Sequence, residues 1–414
     1  MHKKKQIVFV ESCPVPISLK ISIGLRKRGF KTVLVTLMQN TESKLLKLAY
    51  DEVISFDFKY FKINLKNLLN ILAYATKKIP NILKALFKIR QLKYNSDIII
   101  VRAIPNWLCF FALKYFKNKP VIFFPHDIRS FSYNNRKEAL NSGISNFEID
   151  AEEYCFENAD GIIHKGVEKE ISFLNKKVFG NEVLINCPIF HLLPLYLNKF
   201  AVLFKKIKSK VPKDKEIHLV YVGHLAVGKG WVECINKLTK QGIHIHVYGK
   251  TNLLSKQEDY NRFKTHYEKL SNNKFFHIHE QVEQTKIAEE IFKYDYAIFS
   301  FSEQEHFLFR VSTGNKLASY LEAGLPTICC KNYEYTADLI EKHGIGVTLK
   351  PSELKNLKKI LEKNPPKKLY KNILKARKNL SLEVNIPDLE KFFDQVIRYH
   401  HTKNLIDNKK LKTQ

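Results

Sequence analysis

Short apolar segments alternate with segments of helical periodicity along almost the whole chain. Each apolar segment is four to six residues long and rich in β-branched and aromatic residues, with little polar alternation. Uniformly apolar strands separated by helices are typical of parallel sheets that are covered on both faces. We expect strands at Ile7–Val10, Thr32–Leu37, Val53–Phe56, Asp97–Val101, Val121–Phe124, Gly161–His164, Val183–Asn186, Ile217–Val222, Ile243–Tyr248, Phe275–Ile278, Ala297–Phe301, Pro326–Cys330 and Gly346–Leu349.

The strands fall into two series, joined by the lysine-rich stretch Lys205–Glu216. This arrangement predicts the α/β class, with two doubly wound, Rossmann-like domains facing each other across a cleft. We place the two domains at residues 1–190 and 195–385. The amphipathic segment Pro387–Lys403 predicts a C-terminal helix, within residues 386–405, that packs back on the first domain.

The composition fits two folded domains and excludes other classes. Of the 414 residues, 45% are hydrophobic and 27% are charged, which excludes global disorder. The seven cysteines form no Cys-x-x-Cys pair, so we expect reduced thiols and a cytoplasmic location. No segment reaches the roughly 18 apolar residues of a membrane span, since the longest apolar stretch, Ile98–Leu113, is interrupted by Arg102.

The chain is strongly basic, with 69 basic against 41 acidic residues and a formal net charge of +28. This charge favours anionic partners such as phosphate-bearing substrates, anionic lipid or nucleic acid. Only ten of the basic residues are arginine, so the lysine bias of an AT-rich genome explains the charge equally well, and both explanations stay open. No nucleic-acid recognition motif accompanies the charge, and we therefore rank nucleic-acid binding last.

The segment Lys59–Ser96 concentrates this charge, with nine basic residues and no acidic one. Its apolar residues follow helical spacing on both sides of Pro80. A basic face opposite an apolar face is how a helix lies on anionic lipid. A crossover helix packed on a parallel sheet also needs an apolar face, with its lysines merely solvated. The pattern leaves both interpretations open.

Two stretches of the second half carry candidate chemistry. In the first, Tyr221–Gly230, a buried strand ends at Gly223 and the following loop carries Lys229 to the start of a helix. A glycine at the strand end lets a phosphate approach the backbone, and Lys229 would supply a cation. An ordinary strand-to-helix turn with a solvated lysine has the same appearance.

The second stretch, Ser312–Pro326, predicts a short capped helix that ends at Gly324. The free N–H groups of its first turn and the helix dipole make an anion site at Gly314. Asn315 and Lys316 would add side-chain donors. Seen alone, this is also the pattern of any capped crossover helix.

Taken together and in this order, the two stretches resemble GT-B glycosyltransferases, nearest to glycosyltransferase family 4 (group 1) and its relatives of bacterial surface polysaccharide synthesis. The match is closest in the helix Asn315-Lys316-Leu317 … Tyr320-Leu321-Glu322-Ala323-Gly324-Leu325-Pro326. The first half resembles the family at Arg28–Val35, at Lys119–Asp127 and at Glu152–Ile163. The resemblance covers most of residues 1–350.

The resemblance implies a metal-independent glycosyltransferase that moves a sugar from a nucleotide-sugar donor to a glycan or lipid-linked acceptor, with retention of configuration. The second domain would hold the donor and the first the acceptor. The expected ligands of the donor diphosphate are Gly223, Lys229, Arg310, Gly314, Asn315 and Lys316. His126 would stand beside the transferred sugar, as the catalytic residue, and Asp127 and Arg129 would face the acceptor. Asp127 also fits a plain helix cap.

Three departures from the family pattern bear on the donor site. His224 stands where the family usually has arginine, and an imidazole holds a diphosphate less firmly. Ser319 occupies the position of the glutamate expected to bind the ribose, and Glu322, one turn along, is the substitute we consider. The absence of an Asp-x-Asp motif predicts that neither a metal nor another cofactor takes part.

Other functions remain open at this stage. A nucleotide-sugar epimerase on the same scaffold would need more acid/base residues than His126. A degenerate, non-catalytic member that binds glycan would explain Ser319. The remaining histidines show no metal-ligand spacing, and the alternation Ile243-His244-Ile245-His246 indicates the polar side of a strand. Any membrane contact is expected to be peripheral, at the inner face of the cytoplasmic membrane.

Overall fold

The computed structural model of the protein describes a chain that divides into two compact units. The first comprises residues 1–164, 168–192 and 386–414, and the second residues 165–167 and 193–385. The residues whose structure is described are 5–37, 44–56, 83–103, 105–125, 128–166, 185–192, 196–208, 215–223, 231–249, 270, 272–300, 310–311 and 313–412.

The first unit is built on a seven-stranded, all-parallel sheet of order β3-β2-β1-β4-β5-β6-β7. Its strands are β1 (Gln6–Glu11), β2 (Lys31–Thr36), β3 (Glu52–Ser55), β4 (Ile98–Arg102), β5 (Val121–Phe123), β6 (Gly161–His164) and β7 (Ile189–His191). Residues 83–95 are helical, as are α1 (Pro16–Lys27), α2 (Lys44–Ala49), α3 (Asn106–Tyr115), α4 (Arg136–Asn141) and α5 (Asn146–Asn158).

The second unit has a six-stranded parallel sheet of order β10-β9-β8-β11-β12-β13. Its strands are β8 (Ile217–Val222), β9 (Ile243–Tyr248), β10 (Phe276–His279), β11 (Tyr296–Ser300), β12 (Thr327–Cys330) and β13 (Gly346–Leu349). Its helices are α6 (Phe204–Lys208), α7 (Trp231–Thr239), α8 (Ile287–Ile291), α9 (Asn315–Ala323), α10 (Glu334–His343), α11 (Leu357–Lys363) and α12 (Pro366–Leu380).

Both sheets have the 3-2-1-4-5-6 strand order of the Rossmann fold, which the first sheet extends by one strand. The predicted α/β class and the two doubly wound sheets are therefore confirmed. The expected strand Val183–Asn186 is wrong in the part that the structure describes. Residues 185–186 are not a strand, and the seventh strand of the first sheet is Ile189–His191, which follows Pro188. The carbonyl of Pro188 accepts the first bond of this pairing, from Ile162 N at 3.0 Å.

An aspartate immediately precedes four of the strands, three in the first sheet and one in the second. Each carboxylate accepts a hydrogen bond from the backbone N–H of the neighbouring strand, which the parallel ladder leaves unpaired there. The pairs are Asp51 with Thr32 N (2.8 Å), Asp97 with Gln6 N (2.6 Å), Asp160 with Val121 N (3.0 Å) and Asp295 with His218 N (2.8 Å).

The last helix, α13 (Leu382–Lys412), belongs to the first unit from Ile386 onward. Its His400 Nδ1 lies 2.9 Å from Asp160 Oδ2, and both side chains are buried. A side chain at Gly161 would lie 2.5 Å from Val396, so glycine permits the close approach of helix and strand. Among the described residues, no helix is long and apolar enough to cross a membrane.

Candidate functional site

The carboxyl ends of β8 and β9 approach each other closely. Gly223 follows β8 with φ +138°, a conformation that favours glycine, and donates its N–H to Tyr248 O at 2.9 Å. A Cβ on Gly249 would lie 2.0 Å from the carbonyl oxygen of Gly223. Both glycines are therefore required sterically, and the strand ends present bare backbone.

Helix α9 starts at Gly314, which adopts an extended conformation and offers no side chain to cap the helix. No acidic residue lies in its first turn. The helix ends at Gly324, whose φ of +72° places it in the left-handed region typical of a C-cap. The nine-residue helix therefore presents its N–H groups and the positive end of its dipole at Gly314.

Tyr320 fixes this helix on the sheet. Its side chain is fully buried, and its hydroxyl accepts from Val222 N (3.1 Å) and donates to Ile298 O (2.8 Å). The two backbone groups belong to neighbouring strands, β8 and β11, so a single hydroxyl binds both strands. The start of α9 is thus held in a defined position relative to the end of β8.

Lys316 lies where the helix start and the strand end meet. Its Nζ donates to Phe299 O at 3.0 Å and to Tyr221 Oη at 3.2 Å, and lies 4.5 Å from the centroid of the Tyr221 ring. A Cβ at Gly223 would be 3.7 Å from Lys316 Cδ. The structure therefore brings together three of the predicted donor-site residues, Gly223, Gly314 and Lys316, with Asn315 beside them.

The surroundings of Lys316 alter its ionisation. The side chain is partly exposed, but rings and a carbonyl enclose the ammonium group. Desolvation lowers the pKa of Lys316 from 10.5 to about 8. At neutral pH the ammonium is charged, weakly solvated and close to the helix start, which favours binding of an anion.

Ser319 points to the interior of the second unit. It is buried, and its hydroxyl accepts from Gln284 Nε2 at 3.2 Å. Gln284 is partly exposed and lies between β10 and α8. Sequence reasoning missed Gln284, because only the fold brings it next to the position where a ribose-binding glutamate was expected.

Glu322 serves the structure of the second unit. Its side chain is fully buried, and Oε1 accepts from Leu197 N at 3.0 Å. Its carbonyl accepts from Val202 N (2.8 Å) and from Arg377 Nη2 (2.6 Å). These contacts fix the segment that leads into the unit, so the geometry does not favour Glu322 as a nucleotide ligand.

Arg310 forms a two-pronged ion pair with Glu334, with Nε–Oε1 at 2.8 Å and Nη2–Oε2 at 3.3 Å. Both side chains are about half exposed, so exchange of the carboxylate for another anion costs little. His126, Asp127, Lys229 and the nearby His224 lie outside the described residues. Arg129 starts a short 3₁₀ helix, Arg129–Ser132, and its side chain lies outside them as well.

A second group of ionisable side chains lies at the carboxyl end of the first sheet. Glu11 ends β1, Arg102 ends β4, and the two residues are paired in register. Both are buried, and the guanidinium of Arg102 lies 4.1 Å from the centroid of the Phe124 ring. Burial raises the pKa of the Glu11 carboxyl from 4.5 to about 7, and the charge of Arg102 opposes this shift.

Sequence reasoning missed this pair, although a signal was present. Each charged residue closes an otherwise apolar strand, at the edge where ligands of parallel sheets bind. A buried carboxyl that titrates near neutral pH is a candidate for a functional role.

Comparison with known proteins finds a family model that is similar to part of the chain. The family model described as "Glucosyltransferase 3-like, C-terminal domain" matches residues 220–386, which include the second half of β8, all of α9 and Lys316. No curated protein matches the chain in sequence.

Solved structures extend the comparison to the whole fold. A sucrose-phosphate synthase from Thermosynechococcus elongatus superposes with a TM-score of 0.70, at 13% identity over 95% of this chain and 100% of that one. Anabaena HepE in complex with UDP-glucose gives 0.62, at 13% identity over 96% and 99%. A glycosyltransferase from Rickettsia africae gives 0.59, at 15% identity over 96% and 99%.

The chain thus has the fold of GT-B glycosyltransferases, and residues 220–386 are similar to a glucosyltransferase 3-like C-terminal domain. The predicted resemblance is confirmed at this level.

Proposed function

We propose that the protein is a metal-independent glycosyltransferase that takes a nucleotide sugar as donor. The observation that carries the proposal is the position of Lys316, whose side chain passes Gly223 near the start of α9 and whose ammonium contacts Tyr221 Oη and Phe299 O. A cation, a helix N-terminus and bare backbone converge there, as a diphosphate requires. HepE, which has the same fold, was solved with UDP-glucose.

The chemistry follows from charge. As the bond between the sugar and the diphosphate breaks, negative charge grows on the leaving diphosphate. Lys316 and the N–H groups at Gly314 stabilise this charge most strongly in the transition state, which lowers the barrier. Asn315 and Lys229 add donors, and Arg310 joins them by exchanging Glu334 for the phosphate. The Ser319–Gln284 pair takes the place of the ribose-binding glutamate.

The acceptor belongs to the first unit in this proposal. His126, Asp127 and Arg129 follow β5, and Glu11 and Arg102 end the two strands before it in the sheet order. These residues would position the acceptor hydroxyl and the sugar. We propose a glycan or a polyprenyl-phosphate-linked glycan as acceptor, in surface polysaccharide synthesis, with retention of configuration.

The helical residues 83–95 support an acceptor held at a membrane surface. Leu83, Leu86 and Phe87 are 59%, 49% and 63% exposed, next to exposed basic residues of the segment Lys59–Ser96. Ala85, Ile89 and Leu92 face the core of the unit. The helix therefore presents large apolar side chains to solvent in addition to its packed face, as a peripheral membrane helix does. Residues 57–82 lie outside the described residues.

We expect the protein to float with anionic phosphatidylglycerol vesicles and not with neutral ones. The double substitution Leu83→Ser with Phe87→Ser should weaken this binding by about tenfold or more, because each large side chain contributes roughly 1.5–3 kcal/mol on burial. The matched control is Leu203→Ser, which changes a residue that is 69% exposed in the second unit. Equal flotation on both kinds of vesicle would contradict the proposal that electrostatic attraction to anionic lipid contributes to membrane binding.

The donor site is tested by thermal stabilisation with UDP, GDP, ADP, CMP and dTDP in the presence of EDTA. A nucleotide at about 100 times its Kd adds roughly 2.7 kcal/mol to the free energy of unfolding. We expect one base to stabilise the protein and the matching nucleotide sugars to be consumed without metal. Stabilisation without consumption of any sugar donor would instead indicate a binding protein. The absence of stabilisation by all five nucleotides would refute the donor site.

A further inference from the structure

Five histidines form a row on one face of the second sheet. They are His218 on β8, His244 and His246 on β9, and His277 and His279 on β10. The parallel register pairs His218 with His244 and His246 with His277, so all five side chains emerge on the same face. Neighbouring rings are stacked, with centroids 4.4 Å apart in both pairs.

The ring nitrogens contact each other diagonally across the strands. His218 Nδ1 lies 2.9 Å from His246 Nε2, His246 Nδ1 lies 3.0 Å from His279 Nε2, and His244 Nδ1 lies 2.9 Å from His277 Nε2. Each contact joins one N–H to one lone pair, so one nitrogen of every contact carries a lone pair that faces a neighbouring ring. Neutral imidazole is the form that ligates metal ions.

A carboxylate orients the outer end of the row. Glu216 accepts a hydrogen bond from His244 Nε2, which leaves the lone pair of His244 on Nδ1, facing the other rings. A carboxylate behind a histidine is the usual support of a metal-ligating imidazole. His244 remains 14% exposed at its side chain, which gives an ion access from solvent.

The inner end of the row is enclosed by the segment that follows α8. The ring of Tyr294 lies 4.3 Å from that of His246, which is only 9% exposed. Glu290 and Lys293, both partly exposed, form an ion pair beside His279 and Tyr248. Their charges offset each other, so the charge of Lys293 does not repel a metal cation bound at the histidines.

We propose that His218, His244 and His246 bind a first-row divalent transition-metal ion. One ring nitrogen from each lies within 4.8 Å of the others. Two nitrogens at about 2.05 Å from a metal are about 2.9 Å apart at a right angle and about 3.3 Å apart at the tetrahedral angle. The 2.9 Å between His218 Nδ1 and His246 Nε2 thus matches the separation of neighbouring ligands in the tetragonal geometry of Cu²⁺ or Ni²⁺, and both rings turn so that their lone pairs meet at the ion. Zn²⁺ requires the two rings to separate by a few tenths of an ångström.

Binding at this pair requires a change of tautomer in one ring. The proton between His218 Nδ1 and His246 Nε2 moves through solvent to the second nitrogen of the ring that carries it, so that ring stays neutral. Both facing nitrogens then donate lone pairs to the ion. A small rotation of the partly exposed His244 brings Nδ1 to the third position. His277 and His279 remain next to the ion as further ligands or as hydrogen-bond partners.

The metal site is separate from the proposed donor site. The histidines occupy the face of β8 that carries His218 and Val220, whereas Lys316 contacts Tyr221, which points to the opposite face. An ion here would connect β8 and β9 and stabilise the second unit, without taking part in transfer.

The test is equilibrium dialysis of the full chain, stripped with chelator, against Cu²⁺, Ni²⁺ or Zn²⁺ alone. We expect one ion per chain, bound most tightly for Cu²⁺, and an increase in thermal stability with Ni²⁺ or Zn²⁺. His244→Asn should weaken binding more than about 100-fold, and Glu216→Gln by about 10–100-fold, the range for a residue that supports a ligand.

The matched control is His401→Asn, an exposed histidine on α13 that lies outside the row. It should leave the affinity unchanged. The proposal is overturned when the stripped wild type binds no stoichiometric ion, or when His244→Asn and His401→Asn bind as the wild type does. The Glu216→Gln variant keeps all five imidazoles, so it remains informative where His244→Asn folds poorly. A folded Glu216→Gln with unchanged affinity also counts against the assignment of His244 Nδ1 as a ligand.

Discussion

Lys316→Met should lower kcat/KM for sugar transfer by about 10²–10³-fold, the loss seen when one preorganised donor to a developing negative charge is removed. Lys316 is the described cation that the fold places beside both Gly223 and the start of α9. Methionine keeps the length and apolar stem of the side chain and removes only the charge and its hydrogen bonds. The measurement is transfer kinetics with the donor identified by the nucleotide panel.

The same substitution should not weaken the fold. Burial holds the pKa of Lys316 near 8 instead of 10.5, so the folded state disfavours the charged form by on the order of 2–3 kcal/mol. This destabilisation is fully present below about pH 8 and disappears as the pH rises toward 10.5, because only the unfolded chain keeps its proton in that window. Below pH 8 we therefore expect Lys316→Met to be as stable as the wild type or roughly 1 kcal/mol more stable, with Phe299 O losing its donor as the offset.

The pH dependence of nucleotide binding shows whether Lys316 binds the nucleotide or only stabilises the fold. The wild type should bind nucleoside diphosphate more weakly as the pH rises through about 8, because the ammonium of Lys316 loses its charge. Lys316→Met should lack this decline. The control is Lys342→Met, an exposed lysine on α10 that should change neither kinetics nor the pH profile. A wild-type kcat/KM in Lys316→Met would contradict the proposed donor site.

The sequence predicted the strands well because each is a short apolar run with few alternatives. Twelve of the thirteen expected strands overlap observed ones. The exception is Val183–Asn186. The seventh strand is instead Ile189–His191, which lies at the edge of the sheet and is only partly buried, so its sequence carries little apolar pattern. The helix Asn315–Ala323 was predicted from a Ser/Thr cap and a glycine at its start and from Gly324 at its end. Gly324 is the C-cap as predicted, whereas the N-cap is Gly314, without a side-chain hydrogen bond.

Other features depend on register, which the sequence does not show. Asp97 and Asp160 precede strands, yet their partners are N–H groups 91 and 39 residues away. Glu322 was considered as a ribose ligand because it lies one turn after Ser319 on α9. The helix packs the face that carries Glu322 into the interior of the second unit. The histidines show no metal-ligand spacing in the sequence, because only the parallel pairing of the strands places His218 beside His244 and His246 beside His277.

The two ends of α9 have different roles in the second unit. The amino end, at Gly314, presents the groups that we assign to the donor. The carboxyl end is anchored by Arg377, which is buried and donates to Leu321 O (2.6 Å), Glu322 O (2.6 Å) and Val202 O (2.9 Å). Two of these acceptors lie in the last turn of the helix, where carbonyls lack partners within the helix and a cation is favoured by the dipole.

Arg377→Ala should therefore destabilise the second unit by about 3–5 kcal/mol, since it removes charged hydrogen bonds and leaves three buried carbonyls without this donor. Arg377→Lys should lose roughly half as much, because an ammonium keeps the charge but not the planar geometry that reaches all three oxygens. Urea unfolding followed by Trp231 fluorescence in a Trp107→Phe background measures the second unit alone, as the chain has two tryptophans.

The control for this series is Arg398→Ala, an exposed arginine on α13 that should change stability by less than about 0.5 kcal/mol. Arg377→Ala should also weaken nucleotide binding, because a helix released at its carboxyl end no longer fixes Gly314 and Lys316 at the other end. A loss below about 1 kcal/mol would mean that water replaces the guanidinium at these carbonyls. In that event Tyr320 would hold the helix start in position. Tyr320→Phe removes the hydroxyl that binds Val222 N and Ile298 O, and this variant would then lower nucleotide affinity.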